Sequence, residues 1–183
     1  MLVRGVEILA DDFEENYLEY SDKIYGFIFL LVRHRETAED LTQETFYKAF
    51  KKLKLFKNQS SFLTWLLKIA RNVTYDHLRR KRIIRFISLG NEEGFAHSSL
   101  STESTVETRE ELTQLYSALG RLKKDYRDVI ILRKISECSI KETAYILGWT
   151  EAKVKSKLSR GTEALRKELH GKEDVVNGTV KRI

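Results

Sequence analysis

The sequence predicts an all-α fold in which two small helical domains are joined by a flexible linker. Apolar residues recur at steps of three and four along most of the chain, which is the spacing of helices with one buried side. No long stretch alternates between apolar and polar residues as a strand would, and proline is absent, so nothing forces a break inside a helix. With 183 residues, 42% hydrophobic and 33% charged, the chain can build one or two cores beneath a charged surface.

The first predicted helix belongs to an N-terminal domain that we place at residues 10–85. Its apolar positions begin at Phe13 and continue through Ile24 to Leu31. The longest apolar run, residues 24–32, is too short to span a bilayer and is predicted to be a buried part of this helix. Because the N-terminus also lacks the pattern of a signal peptide, we expect a cytoplasmic protein without membrane insertion.

The second predicted helix covers residues 37–53. Thr37 and Asp40 have the spacing of a capping box at its start. The residues predicted to face the core are Leu41, Phe46, Ala49, Phe50 and Leu53. The polar residues that share the other side are Glu36, Glu39, Asp40, Gln43, Glu44 and Tyr47. Because such a face would repel DNA phosphates, it is either a solvated surface or a docking site for a basic protein partner.

A loop at residues 56–61 leads into a third helix, predicted at 62–82. Its buried stripe consists of Phe62, Leu66, Ile69 and Val73, and Trp65 is also predicted to belong to the core. The residues on its polar side are Lys68, Arg71, Asn72, Tyr75 and Arg79, followed by Arg80, Lys81 and Arg82. Cations that follow a backbone, beside rings and amides that meet exposed bases, suit single-stranded nucleic acid, although a solvated basic face remains the alternative.

The composition then changes over residues 86–109, which are rich in Ser, Thr, Glu and Gly and show no sustained period. We predict a flexible linker there. Basic residues outnumber acidic ones by 16 to 12 in residues 1–85 and by 16 to 10 in residues 111–183, whereas 1 basic residue stands against 5 acidic ones in residues 86–110. Two basic modules separated by an acidic segment indicate two surfaces for a polyanion.

The C-terminal domain is placed at residues 110–170, ahead of a tail (171–183) with no assigned role. Four helices are predicted in it: residues 110–122, 125–135, 139–148 and 150–169. Ser139 and Glu142 predict a capping box, Gly148 a left-handed helix end, and Thr150 the cap of the last helix. Two helices joined by about three residues, with glycine in the turn, predict a helix-turn-helix motif.

The last helix presents two different sides. Its core side is predicted to contain Val154, Leu158, Leu165 and Leu169. The polar residues on the other side are Lys153, Lys155, Ser156, Ser159 and Arg160. Serines interleaved with long cations are donors that reach base edges and phosphates in the major groove, which favours DNA reading over a solvated face. A membrane-surface helix would carry more aromatic residues on its apolar side.

The sequence contains no set of residues that predicts catalysis or a bound cofactor. Cys138 is the only cysteine, which excludes an internal disulfide, and its apolar neighbours predict a packing role. The four histidines, His34, His77, His97 and His170, lack the spacing of metal ligands. We therefore expect neither an enzyme nor a metal site.

Three segments together resemble the extracytoplasmic-function sigma factors, the compact two-domain branch of the bacterial sigma-70 family. They are AEDLTQETF (38–46), TWLLKIARNVTYDHLRRKR (64–82) and the segment from DYRDV to EALRK (125–167). The resemblance covers residues 10–170. It departs from the family pattern where a proline is often found near residues 120–123 and where a glycine often replaces Ala152.

The resemblance implies a sigma factor that directs core RNA polymerase to promoters with −35 and −10 elements and helps to open the duplex. Its partners would be the β′ coiled coil and the β subunit of the polymerase, promoter DNA, and an anti-sigma factor that could hold it at the membrane. The residues implied for core polymerase are Glu39, Asp40, Gln43, Glu44 and Tyr47. Those implied for the −10 element are Asn58, Gln59, Ser60, Ser61, Lys68, Arg71, Asn72, Tyr75 and Arg79. The first four, in the loop, would receive a flipped base. Those implied for the −35 element are Lys153, Lys155, Ser156, Ser159 and Arg160.

Two other functions fit part of the sequence. A free-standing helix-turn-helix repressor would bind promoter DNA alone and would have no use for the acidic helix. A regulated enzyme or receiver domain fused to a DNA-binding tail would need alternating strands and helices in the first half, and the sequence predicts none there.

Overall fold

The computed structural model describes residues 3–56, 60–87 and 106–170. Within these ranges every regular element is a helix and no strand occurs, so the predicted all-α class is confirmed. The expectations for Asn58 and Gln59, for most of the linker and for the C-terminal tail concern residues outside the described ranges.

The chain divides into two compact units, one within Met1–Ser98 and one within Ser99–Ile183. The N-terminal unit contains α1 (Val3–Val32), α2 (Arg35–Lys52), a 3₁₀ turn (Leu53–Leu55) and α3 (Phe62–Ile87). The C-terminal unit contains α4 (Val106–Arg121), α5 (Lys124–Ile130) with a π-helical turn (Ile131–Ile135), α6 (Ile140–Leu147) and α7 (Glu151–His170). Because α3 and α4 extend to Ile87 and back to Val106, helices reach into both ends of the predicted linker.

The core of the N-terminal unit forms where α1, α2 and α3 pack against one another. Ile24 and Ile28 of α1 and Leu66 of α3 are fully buried, as the helical period predicts. Phe13 adds edge-to-face ring contacts to Phe46, with 6.1 Å between the centroids. These contacts leave the polar side of each helix facing outward.

Two predictions about α2 are wrong. The helix begins at Arg35 and not at Thr37, because the Nδ1 atom of His34 accepts a hydrogen bond from the Thr37 amide at 3.3 Å and caps the helix. The proposed Thr37–Asp40 capping box therefore does not form. Phe50, expected in the core, is 49% exposed, since its ring packs on Phe13 (5.2 Å between centroids) on one side only.

In the C-terminal unit α7 packs on α5 at very close range. Val154 is fully buried, and Leu158, Leu165 and Leu169 are half-buried, so the predicted core side is confirmed. The crossing itself is made by Gly161, which is buried and was missed by the sequence analysis. A Cβ atom at this position would lie 3.2 Å from Cβ and 3.4 Å from Cα of Tyr126, and 3.3 Å from Cδ1 of Ile130. The absence of a side chain is thus what allows the two helices to meet.

We expect Gly161→Ala to destabilise the C-terminal unit. Alanine favours a helix by about 1 kcal/mol over glycine, but overpacking costs about 1–3 kcal/mol. The cost should dominate because the nearest atoms of Tyr126 belong to or adjoin its backbone and cannot swing aside. Urea unfolding of a Trp65→Phe background, in which Trp149 is the remaining tryptophan, measures the effect in this unit.

Gly26→Ala in α1 is the matched control, because no atom lies within 4 Å of the Cβ it would add. We expect it to leave the N-terminal unit unchanged or stabilise it by up to about 1 kcal/mol. Equal stabilisation by both substitutions would show that the α5–α7 crossing has room for a methyl group.

Candidate functional site

The backbone of α6 and α7 forms the predicted helix-turn-helix motif. The capping box is confirmed: the Glu142 amide donates to Ser139 Oγ at 3.1 Å, and the Ser139 amide donates to Glu142 Oε2 at 2.8 Å. Gly148 ends α6 in the left-handed conformation, with φ of 66°. Thr150 Oγ1 then accepts a hydrogen bond from the Lys153 amide at 3.2 Å and starts α7. Each end of the turn is therefore fixed by a specific hydrogen bond or backbone conformation.

An ion pair at the side of α7 adds to its attachment to α5. Lys157 Nζ lies 2.8 Å from Asp125 Oδ2, and the two side chains are 29% and 42% exposed. The hydrogen bond from Lys157 is the main cause that lowers the pKa of Asp125, and the charges of Lys157, Lys153 and Lys124 act in the same direction. Lys157 thus contributes to the packing of α7, whereas Lys155 and Arg160 are exposed on its other side.

The five residues predicted to read the −35 element lie together on α7 and are all exposed. They are Lys153, Lys155, Ser156, Ser159 and Arg160. Ser156 and Arg160 stand one helical turn apart, so their side chains can reach neighbouring groups on one ligand. One feature at this surface was missed by the sequence analysis: the indole ring of Trp149, in the turn, lies 4.4 Å from Lys153 Nζ. The spacing of four residues between an aromatic residue and a lysine was the available signal.

The basic residues of α3 follow its side away from the core. Asn72 and Arg79 are exposed, and Lys68, Arg71 and Tyr75 are half-buried. The Arg71 guanidinium lies 5.1 Å from the centre of the Tyr75 ring, so a cation and a ring form one contact on this surface. Arg79 is paired with Asp76 at 3.1 Å, while the residues that follow it (Arg80, Lys81 and Arg82) are exposed.

In the described part of the loop before α3, one serine hydroxyl is used to cap the helix. The Ser61 hydroxyl accepts a hydrogen bond from the Thr64 amide at 3.2 Å and lies 2.7 Å from Thr64 Oγ1, so it caps α3. Ser60, which is half-buried, donates to the Ser61 carbonyl at 3.2 Å. Trp65 is half-buried and packs on Phe56 with 5.0 Å between ring centroids, which agrees with its predicted place in the core.

The acidic side of α2 is less uniformly charged than its sequence indicates. Glu39 is paired with Arg35 at 2.9 Å, and Glu44 with Lys48 at 2.7 Å. Asp40 and Gln43 between them are exposed, and no ion pair joins Asp40 to another described residue. Tyr47 is 58% exposed, with Lys51 Nζ 4.3 Å from the centre of its ring. Between the two paired glutamates the face therefore presents the unpaired Asp40 carboxylate and the Gln43 amide, while Glu36 is exposed at the start of the helix.

Within the described ranges no group of three or more His, Cys, Asp or Glu residues could hold a metal ion. Cys138 is 6% exposed, and burial raises the pKa of its thiol to about 11, so the thiol stays protonated at neutral pH. None of the described helices combines the length and the apolar character needed to cross a bilayer. What the described surfaces offer is binding through charge, amides and rings.

Comparison with known proteins finds similarity over both units. The family models described as Sigma-70 region 2 and Sigma-70, region 4 match residues 17–83 and 112–165. The chain is 34% identical to the ECF RNA polymerase sigma factor SigX of Bacillus subtilis, over 88% of this chain and 85% of that protein. It is 33% identical to SigW of the same organism, over 82% of this chain and 84% of that protein. Among solved structures it is similar to the sigma factor RpoE in complex with the anti-sigma factor NepR from Bartonella quintana. The two chains are 30% identical with a TM-score of 0.73, and the similarity covers 86% of this chain and 96% of that one.

We expect the Asp125–Lys157 pair to make the stability of the C-terminal unit depend on pH. Because the pKa of Asp125 lies below its ordinary value of 3.8, the pair stabilises the folded unit above that pH and loses its effect as the pH falls below it. Asp125→Asn should lower the free energy of unfolding at pH 7 by about 0.2–1 kcal/mol, since the pair is partly exposed. The difference from the parent should vanish in acid, measured by urea unfolding between pH 7 and pH 2.5.

Lys157→Met in the Asp125→Asn background is the control, and it should remove no further pH dependence. A loss that is the same at every pH would instead assign the effect of Asp125→Asn to packing.

Proposed function

The chain belongs to the extracytoplasmic-function branch of the sigma-70 family, and we propose that each of its three polar surfaces binds a different ligand. The surface of α2 binds core polymerase, that of α3 the −10 element and that of α7 the −35 element. The chain is an RNA polymerase sigma factor, whose partners are core RNA polymerase and promoter DNA. The observation that carries the division is that the N-terminal unit exposes an acidic face on α2 and a basic face on α3. One polyanion cannot occupy both.

The proposed −35 surface is the exposed side of α7. Lysine, arginine and serine supply hydrogen-bond donors, and Arg160 can donate twice to the O6 and N7 atoms of a guanine. The turn before α7 is fixed by Gly148 and Thr150, and its side is held by the Asp125–Lys157 pair. This surface would therefore reach DNA as a rigid unit, which limits the conformational entropy lost on binding.

The proposed −10 surface is the basic side of α3 together with residues 58–61. Arg71 beside the Tyr75 ring offers a charge for the backbone and a π-face for an unpaired base. Asn72 is exposed next to them and can donate and accept hydrogen bonds with a base edge. Since the Ser61 hydroxyl already caps α3, we assign base contacts in the loop to Asn58, Gln59 and Ser60 in preference to Ser61.

The proposed core-polymerase surface is the exposed side of α2, which would bind the basic β′ coiled coil. Asp40 and Gln43 are at its centre, because the carboxylates of Glu39 and Glu44 are already paired within the helix. Tyr47 extends the face by one helical turn and offers a large exposed ring. The unpaired Asp40 carboxylate with the Gln43 amide beside it gives the centre of this surface directional specificity, and the flanking pairs reduce the cost of desolvation.

Further proposals concern the boundaries, the partners and the location. We place the polymerase- and −10-binding domain at residues 10–85 and the −35-binding domain at 110–170. The protein itself does no chemistry and leaves nucleotide addition to the polymerase. It works in the cytoplasm, and an anti-sigma factor binds and regulates it. Support for such a partner comes from the similar RpoE chain, whose structure was solved in complex with the anti-sigma factor NepR.

A free-standing repressor is not favoured, because the family match extends over the N-terminal unit, where such a repressor would have no use for the acidic face. Run-off transcription decides between the two functions. The full chain, added to purified core polymerase on genomic fragments, should produce transcripts whose mapped starts share −35 and −10 sequences. If promoter fragments are bound without core polymerase and no transcript forms, the proposed function is wrong.

Reversing the charge of α2 should prevent assembly with the polymerase. Asp40→Lys with Glu44→Lys places two cations against a basic partner, and like charges at a close contact cost several kcal/mol, so affinity for core should fall by at least about a hundredfold. Helical content should be unchanged, because Asp40 is exposed and Glu44 only half-buried. The measurement is titration of labelled chain with core polymerase, alongside circular dichroism.

Glu15→Lys, at an exposed position of α1, is the matched control and should leave core affinity within about twofold of the parent, as expected for a charge outside the interface. If the α2 double variant binds core as tightly as this control, α2 is not the docking surface.

Replacing Arg160 should change which promoters are chosen. Arg160→Ala should weaken holoenzyme binding to matched promoters by about 1–3 kcal/mol and binding to random DNA much less, because a lost bidentate base contact affects specific sites only. Lys123→Ala, at an exposed position just before α5, is the control and should not change promoter preference. Competition between a promoter fragment and random duplex of equal length measures the ratio, and equal losses on both would limit Arg160 to a phosphate contact.

A further inference from the structure

Trp149 lies in the turn of the helix-turn-helix motif, and its position is determined from both sides. On one side Gly148 has φ of 66°, and the Trp149 amide donates to the Ala144 carbonyl at 2.9 Å. On the other side the Thr150 hydroxyl caps α7 through the Lys153 amide. The indole ring is half-buried in this constrained turn.

The ring carries a cation on its face. Lys153 Nζ lies 4.4 Å from the ring centre, within the range of a cation–π interaction. Side chains of a helix lean toward its N-terminus, so a lysine in the first turn of α7 reaches back over the residue that precedes the helix. Tryptophan is the aromatic residue that binds a cation most strongly.

Lys153 is in contact with a ring, whereas the other cations on the proposed −35 surface, Lys155 and Arg160, are not. No hydrogen bond, ion pair or ring contact joins the side chain of Lys155 or Arg160 to another described residue. Lys157 is engaged with Asp125, on the side that faces α5. Lys153 is therefore a cation that is exposed and yet held in a defined position.

We propose that Trp149 is a positioning residue for promoter binding, whose indole holds the Lys153 ammonium beside α7 so that it contacts one DNA backbone phosphate next to the −35 element. The proposal rests on the proposed role of α7. Lysine suits a phosphate because its ammonium is a compact point charge without the fork that reads a base. An ammonium that is already positioned loses less side-chain freedom on binding than a free one.

Two signatures are expected from a phosphate contact at Lys153. In holoenzyme assembled from the full chain and core polymerase, Lys153→Ala should weaken binding to a promoter fragment about three- to fivefold, the size of one exposed charged contact. The slope of log affinity against log salt should fall by about 0.9, because one fewer counterion is released. The loss should be the same for promoters with different −35 sequences.

Stepwise fluorination of the indole at position 149 tests the positioning role itself. Fluorine withdraws electron density from the ring face while nearly preserving its shape, so folding and melting temperature should not change. Promoter affinity should fall with each added fluorine, by up to about threefold, as the attraction for Lys153 weakens. In the Lys153→Ala background, fluorination should have no effect.

Lys155→Ala is the matched control, since Lys155 is exposed on the same helix without a ring beside it. Fluorination should cost as much affinity in this background as in the parent. The positioning role is overturned if fluorination leaves the affinity of the parent unchanged, or if it costs the same with and without Lys153. If holoenzyme containing the parent chain binds no promoter fragment, the proposed function fails and this role fails with it.

Discussion

The close crossing of α7 over α5 at Gly161 is the contact on which the C-terminal unit depends. Because no side chain separates the helices there, Val154 is fully buried and Lys157 comes within 2.8 Å of Asp125. Both contacts fix the rotation of α7 about its own axis. That rotation decides which residues face solvent, so the exposure of Ser156 and Arg160 follows from packing on the opposite side of the helix. A recognition surface made in this way is as rigid as the core beneath it.

The N-terminal unit differs in that it exposes faces of opposite charge on consecutive helices. Each of α2 and α3 has one buried stripe, so its polar side must point outward, and the two polar sides need different ligands. Ion pairs within α2 reduce the conflict: Glu39 and Glu44 are paired with Arg35 and Lys48, which leaves Glu36 and Asp40 as the unpaired carboxylates among the described residues of that face. The field of α2 is therefore local and does not cancel the attraction of α3 for a polyanion at longer range.

The helical period was enough to predict the fold class, the polar faces and the buried stripes apart from Phe50, because burial on one side of a helix determines what lies on the other. The capping box at Ser139 and the left-handed end at Gly148 were also predictable, since each depends on residues adjacent in sequence. The misses depend on contacts between distant residues or on unusual caps. His34 lies outside the common set of N-cap residues, and Gly161 adds nothing to a hydrophobic pattern although it decides a helix crossing. The roles of the individual surface residues toward DNA and polymerase stay predictions, because exposure alone does not identify a ligand.

Aromatic residues on the polar faces have a common arrangement. On each of the three surfaces a cation lies over a ring: Lys51 over Tyr47, Arg71 over Tyr75, and Lys153 over Trp149, at 4.3, 5.1 and 4.4 Å. Long cations are costly to order, since each loses up to about 2 kcal/mol of side-chain entropy when it is fixed. Contact with a neighbouring ring restricts the cation before any ligand binds, because the ring is itself held by the helix or turn that carries it. Partly exposed aromatic residues in this chain therefore belong to its binding surfaces as much as to its cores, and they give charged helices defined geometry without burying the charge.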